Sequence, residues 1–445
     1  MPRIRNSRRK HEDDKRALLA SLRLDRPLAL PDFGNLTLRP QEDLLLWLDR
    51  SGLTLYLLAR LRKTAATLSI SPGLLRQLEL RLDANRHRTG ILLQQLASVM
   101  NALQYLGIPC AVLKGFSLTP EFCFDPSYRH QTDLDLLIDS AHVAAAADAL
   151  ARLGYHRVSR PSPDEFAFST PLRRTPTPRD FIYDLPWHLA VELHPTLWEP
   201  VSGIAIESPH VDFRNTHTHK VLGVEFPALP LEQTLLLQLL HVFRHLVGGW
   251  IRPSWLYELA RFVNGPLATP AVCSQLLSLL SSGAVSTQTA HACGLSLAMA
   301  AQVFGASVPP LLQTQLIDIM PQRSRQWSRL FAERFALSEL CGTKLGLLVE
   351  SAFAPDSATW RKHLVRRLFP VSGRPSLGAI QAESTARRWR HRLSSAANIA
   401  GRIHFHFFSG TELAWEALRW RLRTASSAAK PQEPSPGGLL SPPGI

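Results

Sequence analysis

Cysteine is scarce in this chain and badly spaced for structural chemistry. Cys110, Cys123, Cys273, Cys293 and Cys341 are odd in number, widely scattered, and nowhere form a Cys-x-x-Cys pair. That argues against a disulfide framework and a cysteine zinc site, and points to a reducing compartment, the cytoplasm. Long apolar runs are missing too. No stretch offers about eighteen consecutive apolar residues, so a membrane span is not expected. The basic opening, Met1 to Lys10, leads into His11-Glu12-Asp13-Asp14 instead of an apolar core, which is not the pattern of a secretory signal. Acids are outnumbered, 36 Asp and Glu against 50 Lys and Arg, for a formal net charge of +14. The excess is concentrated in residues 361–425, where thirteen Lys or Arg, including Arg366, Arg367, Arg387, Arg388, Arg390 and Arg392, face three acids.

In other respects the 445 residues, 45% hydrophobic, have the composition of a globular chain with at least one sizeable core. Residues 1–25 are basic and expected to be disordered. Helical spacing runs from Leu44 through Arg60. It returns as one or two long helices between Leu74 and Leu106, with Leu92, Leu93, Leu96 and Leu103 inward and Arg81, Arg86 and Arg88 on polar faces. An alternating region follows: strand 109–114, a helix from 115, strand 133–138, an alanine-rich helix 140–153 and strand 154–159. A Pro- and Arg-rich loop, Arg160 to Arg179, separates these from a strand through Glu192. Helical periodicity resumes in Leu231–Val247 and Pro253–Phe262. The organisation expected is a helical N-terminal region 26–106, a core 107–225 and a helical C-terminal region 226–425. The tail 426–445, with five prolines and little to pack, is expected to be disordered.

The segment richest in chemistry is Asp133-Leu134-Asp135-Leu136-Leu137-Ile138. Residues two apart on a strand share a face, so Asp133 and Asp135 stand side by side. Adjacent carboxylates repel, and a divalent cation or a shared proton relieves the repulsion; the plain alternative is a strand end whose acids face water. Upstream, Ile108 to Ser117 reads as an apolar strand ending in a Lys114-Gly115 turn that opens a helix, where backbone N–H groups can meet phosphate. Downstream, Trp187 to His194 alternates so that Glu192 and His194 share one face. That adds a third carboxylate on a third strand.

In this order, Leu113-Lys114-Gly115, Asp125-Pro126 with Arg129, Asp133-Leu134-Asp135-Leu136-Leu137 and Glu192-Leu193-His194 resemble the uncharacterised bacterial nucleotidyltransferase family of the polymerase-β-like superfamily. The resemblance implies an α+β fold, a polymerase-β-like core with a mixed sheet, flanked by helical N-terminal and C-terminal regions. It also implies a metal-dependent enzyme, using Mg²⁺ or Mn²⁺, that moves a nucleoside monophosphate from a nucleoside triphosphate to a hydroxyl of a small molecule or protein. Asp133, Asp135 and Glu192 would be the catalytic metal ligands. Lys114, Gly115, Ser117, Arg129 and His194 would surround the nucleotide. Two features depart from the wider superfamily: Lys114-Gly115 stands where Gly-Ser is usual, and Glu192 where Asp is commoner.

Several residues carry two readings. Arg129 either clamps a phosphate oxygen or pairs with Asp125 or Asp133, and His194 can orient Glu192 by a hydrogen bond. His241 and His245, at i and i+4, either bind zinc or line the inner wall of the site. His217-Thr218-His219 reads as a solvated loop pair. Glu258 either touches the acceptor or forms a helix-face salt bridge. The basic region 361–425 is a solvated helical face or a surface for nucleic acid, the latter not favoured because no nucleic-acid motif accompanies it. Its clump His404-Phe405-His406-Phe407-Phe408 is a stacking or interfacial patch or, as is commoner for aromatic residues beside small ones, part of a core. Two other functions therefore stand beside the enzyme: a catalytically degenerate nucleotide-binding module, and a nucleic-acid-associated protein acting through that basic region.

Overall fold

The computed structural model describes residues 2–28, 38–64, 70–158, 166–171, 181–184, 188–198, 204, 206–207, 211–266, 268–281, 285–338, 342–354, 356–368 and 406–420. The chain forms two compact units, residues 1–363 and 364–445. The first unit takes in the stretches expected as the N-terminal region and the core together with residues 226–363. In the second unit, residues 406–420 form a helix with Phe407, Phe408 and Trp415 exposed. Arg387, Arg388, Arg390, Arg392, His404, Phe405 and the proline-rich tail lie outside the described residues, as do Trp187 and Cys341. No described helix is long and apolar enough to cross a membrane.

The first unit is built round a seven-stranded mixed sheet, in keeping with the α+β expectation. Its strands are β1 (Cys110–Leu113), β2 (Asp133–Ile138), β3 (His156–Val158), β4 (Phe166–Ser169), β5 (Ala190–His194), β6 (His217–Val221) and β7 (Val224–Ala228), in spatial order β3-β4-β5-β2-β1-β7-β6. Strand β2 is central, antiparallel to β1 and parallel to β5. Helices α1 (Pro2–Ser21), α2 (Leu38–Ser51), α3 (Thr54–Lys63) and α4 (Pro72–Tyr105) precede the sheet, and α5 (Val143–Arg152) lies within it in sequence. Helices α6 (Leu231–Gly248), α7 (Pro253–Val263), α8 (Pro270–Ser281) and α9 (Thr287–Phe304) come after it.

The two-residue alternation of β2 decides what each face does. Leu134, Leu136 and Ile138 pack with Leu96, Val99 and Leu103 of α4 and Ala146, Ala149 and Leu150 of α5. On the other face, Leu137 joins Ala111, Leu113 and Leu237 of α6, leaving Asp133 and Asp135 at the open end of that layer. A one-residue slip would turn both acids into the core and expel leucines worth about 1.5–3 kcal/mol of burial each. Helix α4 starts where the sequence signals it should: Pro72 opens the first turn and Ser71 Oγ accepts from Leu74 N at 3.2 Å.

Several expectations change. Residues 1–25, expected to be disordered, include α1, whose Leu18 and Leu19, with the following Leu22, are buried at helical spacing. The helix expected through Arg60 is broken between α2 and α3 at Gly52, whose φ of 73° suits a residue without a Cβ. Arg81 and Arg88 of α4 are buried, not on a polar face. Arg81 forks onto the Asp49 carboxylate at 2.9 Å, and Arg88 donates to the carbonyls of Gln131 and Asp184. Only Arg86 is exposed as expected. Strand β4 falls inside the segment read as a loop, its central pair Ala167 and Phe168 buried. The hairpin of β6 and β7 extends the core past residue 225 and puts His217 and His219 on a strand, where His219 Nε2 lies 2.6 Å from the Thr119 carbonyl.

Candidate active site

Strand β1 ends with Leu113 opposite Asp135. Lys114 and Gly115 then both take positive φ, 49° and 56°. The lysine tolerates this only under tertiary constraint, whereas at Gly115 any Cβ would also collide with the Gln131 side-chain amide. The turn aims Lys114 back across the sheet, so that Nζ donates to Asp135 Oδ1 at 2.9 Å. Beyond Lys114 the chain makes a four-residue 3-10 turn, Gly115–Leu118, and not the expected helix. So short a turn offers little of the dipole that a helix start would bring to a phosphate. Ser117 is buried and its Oγ donates to the Lys114 carbonyl at 3.0 Å, which supports the turn from behind and keeps the hydroxyl off the cavity wall.

In the parallel register of β2 and β5, Asp135 lies directly beside Glu192. His194 Nε2 is 2.8 Å from Asp135 Oδ1 and 3.9 Å from Glu192 Oε2. The imidazole therefore orients Asp135 and not Glu192. Burial works to raise the Asp135 pKa, but the Lys114 ammonium and the His194 hydrogen bond outweigh it and hold this carboxyl well below its usual range. Asp133 is raised, first by burial and then by the neighbouring charge of Asp135. The two acids that look equivalent in sequence are electrostatically distinct.

Asp133, Asp135, Glu192, His194, Lys114 and Gly115 open onto one cavity of about 540 Å³. Arg129 sits in its wall, held from behind by Glu258 Oε1 at 3.0 Å from Nε. Its carboxylate partner is thus neither Asp125 nor Asp133. Asp125 caps the turn Pro126–Tyr128 by accepting from Ser127 N at 2.7 Å. Glu258 is buried, accepts a second bond from Tyr56 Oη at 2.8 Å, and reaches neither the cavity nor an exposed helix face. His241 and His245 line the inner wall, as one of their two readings had it. Burial, Lys114 and their neighbours hold both imidazoles far down, His245 to about 3, so they are neutral walls at pH 7.

Sequence reasoning missed the wall facing the sheet. Trp255 packs between the two histidines, its centroid 4.5 Å from His241 and 4.3 Å from His245, while Trp250 lies 4.4 Å from His245. Arg50, Arg244 and Arg252 add cations to the cavity lining. His130 is also there: Arg252 Nη2 donates to its Nδ1 at 3.1 Å, leaving Nε2–H to donate to the Ile182 carbonyl at 2.9 Å. The run Gly248-Gly249-Trp250-Ile251-Arg252-Pro253 held the signal, a helix stop followed by an aromatic and a cation.

The donor set suits a divalent cation. Ligand atoms of Asp135, Glu192 and His194 lie within 4.8 Å of one another, with Asp133 beside them on the same strand face. Carboxylate oxygens suit hard cations such as Mg²⁺ and Mn²⁺, whereas an imidazole is a common ligand of Zn²⁺, Cu²⁺, Fe²⁺ and Ni²⁺, so the mixed set does not by itself choose the ion. Among curated proteins, no relative matches the chain. Residues 39–305, more than half of the chain and spanning every residue of this cavity, match the family described as uncharacterised nucleotidyltransferase, and the protein belongs to that family.

Proposed function

We propose that this cavity transfers a nucleoside monophosphate from a nucleoside triphosphate to a hydroxyl of a small molecule or protein, on a polymerase-β-like core. The observation that carries the reading is the convergence of Asp133, Asp135 and Glu192 with Lys114 on one cavity, from three strands far apart in sequence. Bound divalent cations, held by the three carboxylates, would stabilise the attacking and leaving oxygens of an in-line displacement. The acceptor oxygen forms its bond to the α-phosphorus as the bond to pyrophosphate breaks, and Glu192 takes the hydroxyl proton. Lys114 moves its charge from Asp135 to the triphosphate as a point cation. His194 keeps Asp135 in place by its 2.8 Å contact. Arg129, pre-positioned by Glu258, turns its remaining N–H groups to phosphate oxygens.

One observation favours a second reading. Lys114 Nζ already sits on Asp135 Oδ1, as in a nucleotide-binding module that no longer turns over. Calorimetry separates the two. Mg²⁺- or Mn²⁺-dependent binding of a nucleoside triphosphate, lost in the Asp133→Asn, Asp135→Asn double variant, supports the site; binding with no transfer to any tested acceptor favours the module. Absence of binding in the unaltered chain sinks both.

A further inference from the structure

A second cavity, of about 580 Å³, shares no lining residue with the first. Consecutive residues divide the two: Arg129 lines the first and Tyr128 the second. The size is that of a small-molecule site. Its charge is one-sided among the described residues, with Arg26, Arg60, Arg62, Lys63 and Arg261 in the lining and no described Asp or Glu beside them. Arg62 is matched from outside by Glu79, and Arg60 spends its two terminal nitrogens on the carbonyls of Leu22 and Arg26. Arg60 Nε is buried with no hydrogen-bond partner among the described residues. Lys63 and Arg261 form no ion pair with a carboxylate among them either, the Arg261 Nε bond going to the Phe122 carbonyl, and Arg26 has the charge of its neighbour Asp25 nearby without an ion pair. Five cations against so few acids in one concavity raise the local potential and draw an anion.

The same cavity offers rings. Phe124 is 40% exposed, an uncommon state for phenylalanine, with the Arg261 guanidinium 5.1 Å over its face and Tyr128 4.7 Å away. Tyr257 adds a third ring. Inorganic polyphosphate would satisfy the cations and leave Phe124 wet. A nucleotide satisfies both, its phosphates on the cations and its base stacked on the ring. We infer that this cavity is a second nucleotide-binding site, distinct from the metal-centred one and independent of divalent cations, taking a free nucleotide or the terminal nucleotide of a strand.

The test is equilibrium binding of ATP to the full chain in EDTA, which removes any contribution of divalent cations at the first cavity. Saturable binding is expected, weakened by about tenfold or more in Arg26→Glu, Lys63→Glu. Both side chains are exposed, so the variant keeps the thermal unfolding of the parent. Phe124→Ala should weaken ATP more than inorganic triphosphate, which reads the ring separately from the charge. A short 5′-phosphorylated strand that binds tighter than ATP, and is lost with the same variants, assigns the site to strand ends; ATP binding at least as tightly assigns it to free nucleotide. No saturable binding in EDTA overturns the inference. So does EDTA-resistant binding that survives Arg26→Glu, Lys63→Glu and disappears with Lys114→Ala, which would place the nucleotide in the first cavity. Failure of metal-dependent binding there leaves this result untouched.

Discussion

Replacing Arg129 by methionine tests whether the layer behind the first cavity is held by charge. Glu258 has a side chain only 2% exposed and Arg129 one of 12%, joined at 3.0 Å, with Tyr56 Oη on the same carboxylate oxygen at 2.8 Å. Burial alone would depress the Arg129 pKa, but Glu258 more than offsets it and raises it. Truncating one partner of such a pair leaves the other charge buried without its counter-ion, at a cost of about 3–5 kcal/mol. Urea unfolding followed by tryptophan fluorescence at neutral pH should therefore show Arg129→Met destabilised by that amount. Adding Glu258→Gln should recover much of the loss, since no buried charge remains. A cost under about 1 kcal/mol would refute the reasoning, because surface-type ion pairs behave that way.

Three other outcomes are expected. Asp133→Asn should abolish nucleotidyl transfer yet raise the unfolding midpoint, because burial and Asp135 already disfavour its charge; a lower midpoint counts against the like-charge account. Gly115→Ala should cost about 1–3 kcal/mol in denaturant unfolding, from positive φ and the Gln131 collision, and should weaken triphosphate binding; an unchanged midpoint argues against the turn geometry. His130, His241 and His245 are buried with pKa values pushed down by burial. The unfolded chain binds their protons first, so stability should fall by up to about 1.4 kcal/mol per pH unit for each as pH drops below about 6.5. For His245 the loss continues to about pH 3. His245→Phe should flatten that slope, and an unchanged slope removes the assignment.

Much of the site was legible because strands write their faces into a two-residue period. Asp133 beside Asp135, and Glu192 with His194, came from alternation alone, and the sheet brought the four together in adjacent strands. Arg129, Glu258 and Tyr56 were not legible as a unit. They are separated by many turns of chain, and the pairing of a buried charge depends on which partner shares its low-dielectric environment, which spacing does not encode. Arg81 and Arg88 misled for the same reason: a helical pattern assigns arginine to water, but carboxylate and carbonyl acceptors inside the unit bury them.

The sequence by itself determined the strands that carry the acids, the turn at Lys114 and Gly115, and the family, because local periodicity and glycine conformation are properties of short segments. Tertiary structure alone decided that Lys114 rests on Asp135 and that His194 serves Asp135 in place of Glu192. It also set Trp250 and Trp255 against the sheet and gathered five cations from distant segments round a second cavity. Those are distances between elements, and they exist only once the helices have packed on the sheet.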